Sequence, residues 1–357
     1  EKNLTSTPFG TTLTVDFIQL LHAYEPAGLS LHFLFIYTRS FVAPDFLKTS
    51  RHTSQQKGGQ RRSFSKRFLI QAPVIIMKII DSHLHFCPGY PHFDEIAIEA
   101  GHINNEEHLR ECFQKYNIVG GIVMGNRGVH PDNHTYPDFL RYCVGVEARK
   151  LTPEKIQKTC DLVEENLKRN TCVGIKLYPG YDSIYVTDER FEPIYDLAKA
   201  YKKPVAIHTG QTAGSKAFIK YSHPLTLDEA AVRHPDVQFV MCHFGNPWLM
   251  DAAAVVEKNE NVAADLSGLL EGKFDIPEFL EEQSGYISTL KTWLAYIRDY
   301  DKLMFGTDWP LANYEDYIEI TKRLIPEKYR SCCLNIAQSV MINDLYNLCF
   351  FQPIYSL

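Results

Sequence analysis

The chain has no uninterrupted apolar run of the roughly 18 residues a membrane-spanning helix requires, so no membrane partner is expected. It has no excess of basic charge: 37 Lys and Arg stand against 43 Asp and Glu, net −6 over 357 residues. That balance excludes a nucleic-acid binder working through a broad basic surface. Glycine and proline, at 20 and 19, are too few for a collagen-like or low-complexity chain. The nine cysteines form no CxxC pair and follow no regular spacing. An odd count without a secretory signal pattern points to reduced thiols in a cytoplasmic compartment, most of them small core residues. What remains, 45% hydrophobic and 22% charged, is the composition of a globular protein.

Two absences divide the chain. No Met precedes Met77, and no Cys precedes it either. Residues 1–76 hold nine Lys and Arg against four acids, net +5, which leaves the other 281 residues with 28 against 39, net −11. Residues 27–38 are apolar but too short and too interrupted by His and Tyr to span a bilayer. Residues 49–66, rich in Ser, Gln, Gly and basic side chains, read as a disordered linker. The charge follows the apolar stretch, the reverse of a secretory signal; a mitochondrial-type presequence is the alternative. The expectation is a basic, mostly unstructured extension over 1–76, added upstream of a natural start at Met77. A domain over 77–348 and a tail over 349–357 complete the division.

After Met77, short runs rich in Val, Ile and Phe alternate with segments of helical period. Eight strands are expected: Lys78–His83, Ile118–Met124, Tyr142–Val146, Cys172–Leu177, Pro204–Ile207, Val237–Cys242, Val262–Asp265 and Lys302–Phe305. Helices are expected from Thr152-Pro153-Glu154 onward, with Ile156, Cys160, Val163 and Leu167 on one face, and over Phe191–Tyr201, Leu225–Val232, Trp248–Glu257 and Ile287–Tyr296. A last one is expected over Glu327–Leu348. Eight βα units in this length predict an α/β fold of the closed (β/α)8 TIM-barrel kind. The doubly wound open sheet fits less well, because its first turn is Gly-rich and here that turn reads Asp81-Ser82-His83-Leu84-His85.

In such a barrel, chemistry sits where the strands end. His83 and His85 are two apart on the first strand and so face the same way, towards one ion. The fifth strand runs into His208, the sixth into His243 and the eighth into Asp308. One such residue is weak evidence; the repetition at one end of four strands predicts a shared metal site. Lys176, between Ile175 and Leu177, points inward, and three roles stay open: a carbamylated ligand between two metals, a cation for the substrate, or a partner of Asp265. Arg127, past the second strand, would suit a substrate carboxylate or a solvated loop equally. Of the remaining barrel histidines (His92, His102, His108, His130, His134, His223, His234), most are expected at the surface.

The runs DSHLHF, GIKLYPGY, IHTGQT, CHFGNPW and FGTDWP resemble the strand-end motifs of the amidohydrolase superfamily, over about Met77 to Leu348. More narrowly they are similar to its amidohydrolase-related branch, which also holds aminocarboxymuconate-semialdehyde decarboxylase-like enzymes. The resemblance implies one divalent metal, usually zinc, held by His83, His85, His208 and Asp308, with a second ion if Lys176 is carbamylated. It implies that His243 contacts the substrate or helps activate water. TatD-like nucleases carry Glu where Lys176 stands, and Gln211 stands where similar sequences often carry Asp. The expected activity is hydrolysis of an amide, ester or lactone-type bond in a small molecule, by water activated on the metal, with Asp308 as base. Non-oxidative decarboxylation of an unsaturated or aromatic acid on the same site is the alternative. A metal-binding barrel without turnover is a third reading, and a homo-oligomer is left open.

Overall fold

A computed structural model describes residues 78–330. The expected extension, the C-terminal tail and nearly all of the helix expected over Glu327–Leu348 lie outside them. Eight parallel strands follow one another around a single sheet in sequence order. They are β1 (Ile79–Leu84), β2 (Ile118–Met124), β3 (Leu140–Val146), β4 (Cys172–Leu177), β5 (Val205–Ile207), β6 (Phe239–Met241), β7 (Val262–Asp265) and β8 (Leu303–Met304). The last strand is only two residues long. Closure onto β1 comes from the loop after it: Ser82 N donates to Phe305 O at 2.9 Å, Asp308 N to His83 O at 2.8 Å, and His85 N to Trp309 O at 2.6 Å. The fold is a (β/α)8 barrel.

The period-2 runs divide the core into two layers. Ile80, Ile122, Met124, Cys143, Ala206, Val240, Cys242, Ala263 and Met304 fill the barrel, which is a packed interior and not a pore. Leu84, Val144, Ile175, Leu177, Ile207 and Phe239 face the helices. A register shift between β3 and β4 at Val173 lets both Val173 and Lys176 reach inward. The six cysteines among the described residues are free thiols, five of them buried.

The helices are α1 (Pro91–Glu99), α2 (Glu106–Tyr116), α3 (Ile156–Leu167), α4 (Glu192–Tyr201), α5 (Pro224–Arg233), α6 (Leu249–Lys258), α7 (Ile276–Glu282), α8 (Ser284–Ile297) and α9 (Tyr314–Leu324). Asn105 caps α2 by accepting from His108 N, and Asn117 ends it at φ 56°. The alternation is not strict. Between β2 and β3 there is one 3₁₀ turn, Pro131–Asn133, because Pro131, Pro137 and the Gly, Asn and Asp residues around them favour turns over helix. The third helix starts at Ile156, two residues past the expected Glu154.

Candidate metal centre

The site is built from strand ends, and its polar supports decide which atoms face the mouth. His83, fully buried at the end of β1, places Nδ1 2.8 Å from Asp265 Oδ2 on β7. Asp265 also accepts from His243 N at 2.9 Å, Ser267 N at 3.1 Å and Ser267 Oγ at 2.6 Å. Burial would raise this carboxyl, but the His83 and His243 imidazoles and Lys176 hold it well below the usual range. An ionised carboxylate only accepts, so His83 carries its proton on Nδ1 and turns the lone pair of Nε2 outward. Burial lowers the His83 pKa to about 4, so the ring is neutral.

His85 repeats the arrangement with a backbone acceptor: its Nδ1 lies 3.1 Å from Met124 O. A carbonyl cannot donate, so Nε2 is again the open nitrogen. Asp308 Oδ1 then stands 3.4 Å from His83 Nε2 and 3.2 Å from His85 Nε2. The three donor atoms lie within 4.8 Å of one another. Acceptors this close need positive charge between them. His83 Nε2, Asp308 Oδ1 and His208 Nε2 are buried and make no well-formed hydrogen bond. Orphaned donors of this kind fit a divalent cation. Burial raises the Asp308 carboxyl, but His85, His243 and His83 outweigh it and keep the group ionised.

His208, at the end of β5, is not part of that triangle. Its ring centroid lies 5.0 Å from that of His243, which is 4.7 Å from that of His83. Burial, His243 and Lys176 hold its pKa well below the ordinary value. His243 follows β6 at φ 60°. Ser267 Oγ gives its one hydrogen to Asp265, so it accepts from His243 Nδ1 at 2.9 Å. That leaves a lone pair on His243 Nε2. A Cβ on Gly268, at φ +59°, would sit 2.6 Å from His243 Nδ1 and 3.3 Å from Asp308 Oδ2, so the approach of these two residues requires glycine.

Lys176 is fully buried and points inward as expected, with Nζ 2.7 Å from Cys242 Sγ and 5.2 Å from the Tyr178 ring centroid. Of the three roles left open, the direct pairing with Asp265 is not made: among the described residues no carboxylate oxygen comes within 4.0 Å of Nζ. Its packing against the Cys242 thiol takes that place. Arg127 lies beside the segment that follows His85, with Nη2 donating to Phe86 O at 2.5 Å and its guanidinium 5.2 Å from the Tyr136 ring centroid. Its Nε is buried and unpartnered, so the fully solvated reading of Arg127 is corrected.

Asp81, Asp265, Ser267 and Gly268 were not expected as supports of the site. Asp81 accepts from Thr307 Oγ1 at 2.6 Å, Thr307 N at 3.1 Å, His83 N at 3.2 Å and Tyr314 OH at 2.9 Å, which ties β1 to the loop carrying Asp308. Burial pushes its carboxyl up to about 7 despite these bonds. The only advance signal was its place in the DSHLHF run. The surface expectation also fails for His102 and His134, both 5% exposed. His134 stacks on Tyr142 at 4.7 Å, and His102 packs against Tyr314.

The amidohydrolase family model matches residues 80–328, most of the chain, and the chain belongs to that family. No curated protein matches in sequence. Among solved structures, an uncharacterized TIM-barrel protein from Bordetella bronchiseptica aligns with TM-score 0.55 at 20% identity, covering 75% of this chain and 99% of that one. An amidohydrolase from Burkholderia multivorans with bound zinc gives 0.54 at 17%, covering 74% and 99%. A dihydroxybenzoic acid decarboxylase from Polaromonas, with bound manganese and 2-nitroresorcinol, gives 0.53 at 14%, covering 76% and 99%. At these identities the likeness is one of fold.

Proposed function

We propose that this member of the amidohydrolase family is a divalent-metal-dependent hydrolase that cleaves an amide, ester or lactone-type bond in a small molecule. The observation that carries the reading is the set of inward, unpartnered donors, His83 Nε2 and Asp308 Oδ1 with His85 Nε2 beside them and His208 Nε2 across the mouth. His83, His85, His208 and Asp308 would hold one ion, zinc or manganese. When bound, such an ion polarises a carbonyl oxygen and lowers the pKa of water from 15.7 to about 7.

The residues then divide the work. Asp308, kept ionised in a buried site, has Oδ2 free to take the proton of the attacking water. His243 is neutral because burial lowers its pKa, and it presents a lone pair at Nε2. It would therefore take over the proton that Asp308 removes from the water and hand it to the leaving group; the two side chains flank Gly268. Asp265 fixes the tautomer of His83 and the backbone of His243 together. Lys176, fully buried behind the site, is proposed to answer substrate charge or, carbamylated, a second ion. Free thiols throughout the described cysteines support a reducing, cytoplasmic setting, and no helix among the described residues is long and apolar enough to cross a membrane.

Arg127 favours a second reading, decarboxylation of an unsaturated or aromatic acid. Its Nη2 donates to the carbonyl of Phe86, the residue after His85, no acid lies within 4.0 Å of it among the described residues, and its planar fork suits a substrate carboxylate. The fold likeness to a decarboxylase supports this as much as the likeness to an amidohydrolase supports the first. Metal per chain is to be measured first, then products from small amides, lactones and hydroxy-aromatic acids. Hydrolysis without CO₂ is the expected result; CO₂ release from a hydroxybenzoate-type acid, lost in Arg127→Gln, would move the assignment to the lyase.

A further inference from the structure

Outside the barrel mouth, His102, His108 and Cys112 meet on the wall of a cavity of about 510 Å³. His102 lies between α1 and α2, and the other two are four apart on α2, on one face of the helix. His102 Nδ1 is 3.0 Å from His108 Nε2, which is 3.5 Å from Cys112 Sγ. We propose that these three side chains form a second metal site, for a thiophilic divalent cation such as zinc or cobalt, with two imidazole nitrogens, one thiolate and a fourth position open to the cavity.

Hydrogen counting carries the assignment. His102 Nε2 lies 3.0 Å from Ala312 O and must donate to it, so Nδ1 has only a lone pair. His108 Nε2 faces both that lone pair and the Cys112 sulfur. If it bears a hydrogen it satisfies His102 and leaves the thiol nothing to donate to. If it does not, the thiol is satisfied and two bare nitrogens confront each other at 3.0 Å. A proton shared between the two rings leaves the sulfur outside the network, whereas one dication would engage all three atoms. The 3.5 Å between His108 Nε2 and Cys112 Sγ matches a tetrahedral ion, whose ligand atoms about 2.0–2.3 Å from the metal lie roughly 3.3–3.7 Å apart, and the two imidazole nitrogens, at 3.0 Å, would part by a few tenths of an ångström on binding. Burial keeps His102 neutral, its pKa lowered to about 4, and its bond to Ala312 is the outer hydrogen bond that metal-bound histidines make. On binding, the Cys112 thiol releases its proton to solvent. His108 carries its own on Nδ1, which faces Glu111 Oε2 at 3.9 Å.

The site is independent of the reading of the mouth, and a thiolate signature separates the two, because the mouth ligands are imidazole and carboxylate. The full chain, stripped and reloaded with cobalt(II), should show an intense near-ultraviolet sulfur-to-cobalt band. The band should vanish in Cys112→Ser and persist in Cys242→Ser, the other buried thiol near histidine. His108→Gln, on a half-buried helix face, should weaken cobalt binding at this site at least about tenfold and serves if Cys112→Ser fails to fold. A reloaded protein with no such band, a band that survives Cys112→Ser, or one unchanged in His108→Gln overturns the proposal.

Discussion

In the barrel mouth four histidines and one aspartate arrive from the ends of β1, β5, β6 and the loop after β8, held by buried carboxylates. At the outer cluster two histidines and a cysteine come from one loop and one helix, held by a single carbonyl, Ala312 O. Both use the same device: an acceptor on one ring nitrogen frees the other. They differ in what backs it. An ionised carboxylate behind His83 raises the basicity of the ligand and fixes its tautomer, which suits a site that must stay charged and reactive. A neutral carbonyl behind His102 orients the ring without adding charge, and Cys112 supplies the negative charge on binding. The first arrangement suits a site that must exchange protons, and the second suits a site that holds its ion by a thiolate with one position left to the cavity.

The largest separation between the two should come from Asp308→Asn. Turnover is expected to fall by about 10²–10⁴-fold, the share of a positioned proton acceptor, with an unchanged melting transition and an unchanged sulfur-to-cobalt band. Undiminished turnover would remove Asp308 from the mechanism. Asp81→Ala should instead damage both regions. It strands the Thr307 hydroxyl and Tyr314 OH, buried donors worth about 1–3 kcal/mol each, and Tyr314 packs on His102. A loss of roughly 3 kcal/mol in denaturant unfolding is expected; less than 1 would deny Asp81 its role as the clamp between β1 and β8. Asp265→Asn is narrower. The amide places an N–H₂ against His83 Nδ1–H or against the His243 and Ser267 donors, so His83 loses its fixed tautomer. Competition with a chelator should show mouth affinity down about 10–100-fold and the outer cluster untouched.

The contrast also explains what could be read from the chain alone. The barrel was legible because its strands are short apolar runs in regular alternation, and the cluster at the mouth because its histidines and aspartate close those runs. His83 and His85 share a face by strand period, and His208, His243 and Asp308 each follow an apolar run directly. The supports were not legible, since Asp265 is 182 residues from the His83 it orients and Thr307 is 226 from Asp81. The β2–β3 connection departs from the count of eight βα units, because its prolines favour a turn over a helix. The outer cluster had one available signal, His108 and Cys112 at i and i+4, but its third member lies in a loop brought in by α2's packing. The expectation that most histidines outside the mouth lie at the surface passed over His102.

The smallest expected effect probes where the outer site ends. Glu111 is 70% exposed and its Oε2 stands 3.9 Å from His108 Nδ1, too far for a firm hydrogen bond and open to solvent screening. As a distant partner of a ligand's far nitrogen, it should contribute little, and exposed pairs of this kind are worth about 0–1 kcal/mol. Glu111→Gln is therefore expected to change cobalt affinity at the outer cluster by less than roughly fivefold, and about 0.5 M salt should screen the pair to the same end in the unaltered protein. A loss of tenfold or more, with a shift of the visible cobalt bands, would mean that the carboxylate swings in as the fourth ligand. The outer cluster would then carry its own charged support, and the distinction from the mouth would rest on the thiolate alone.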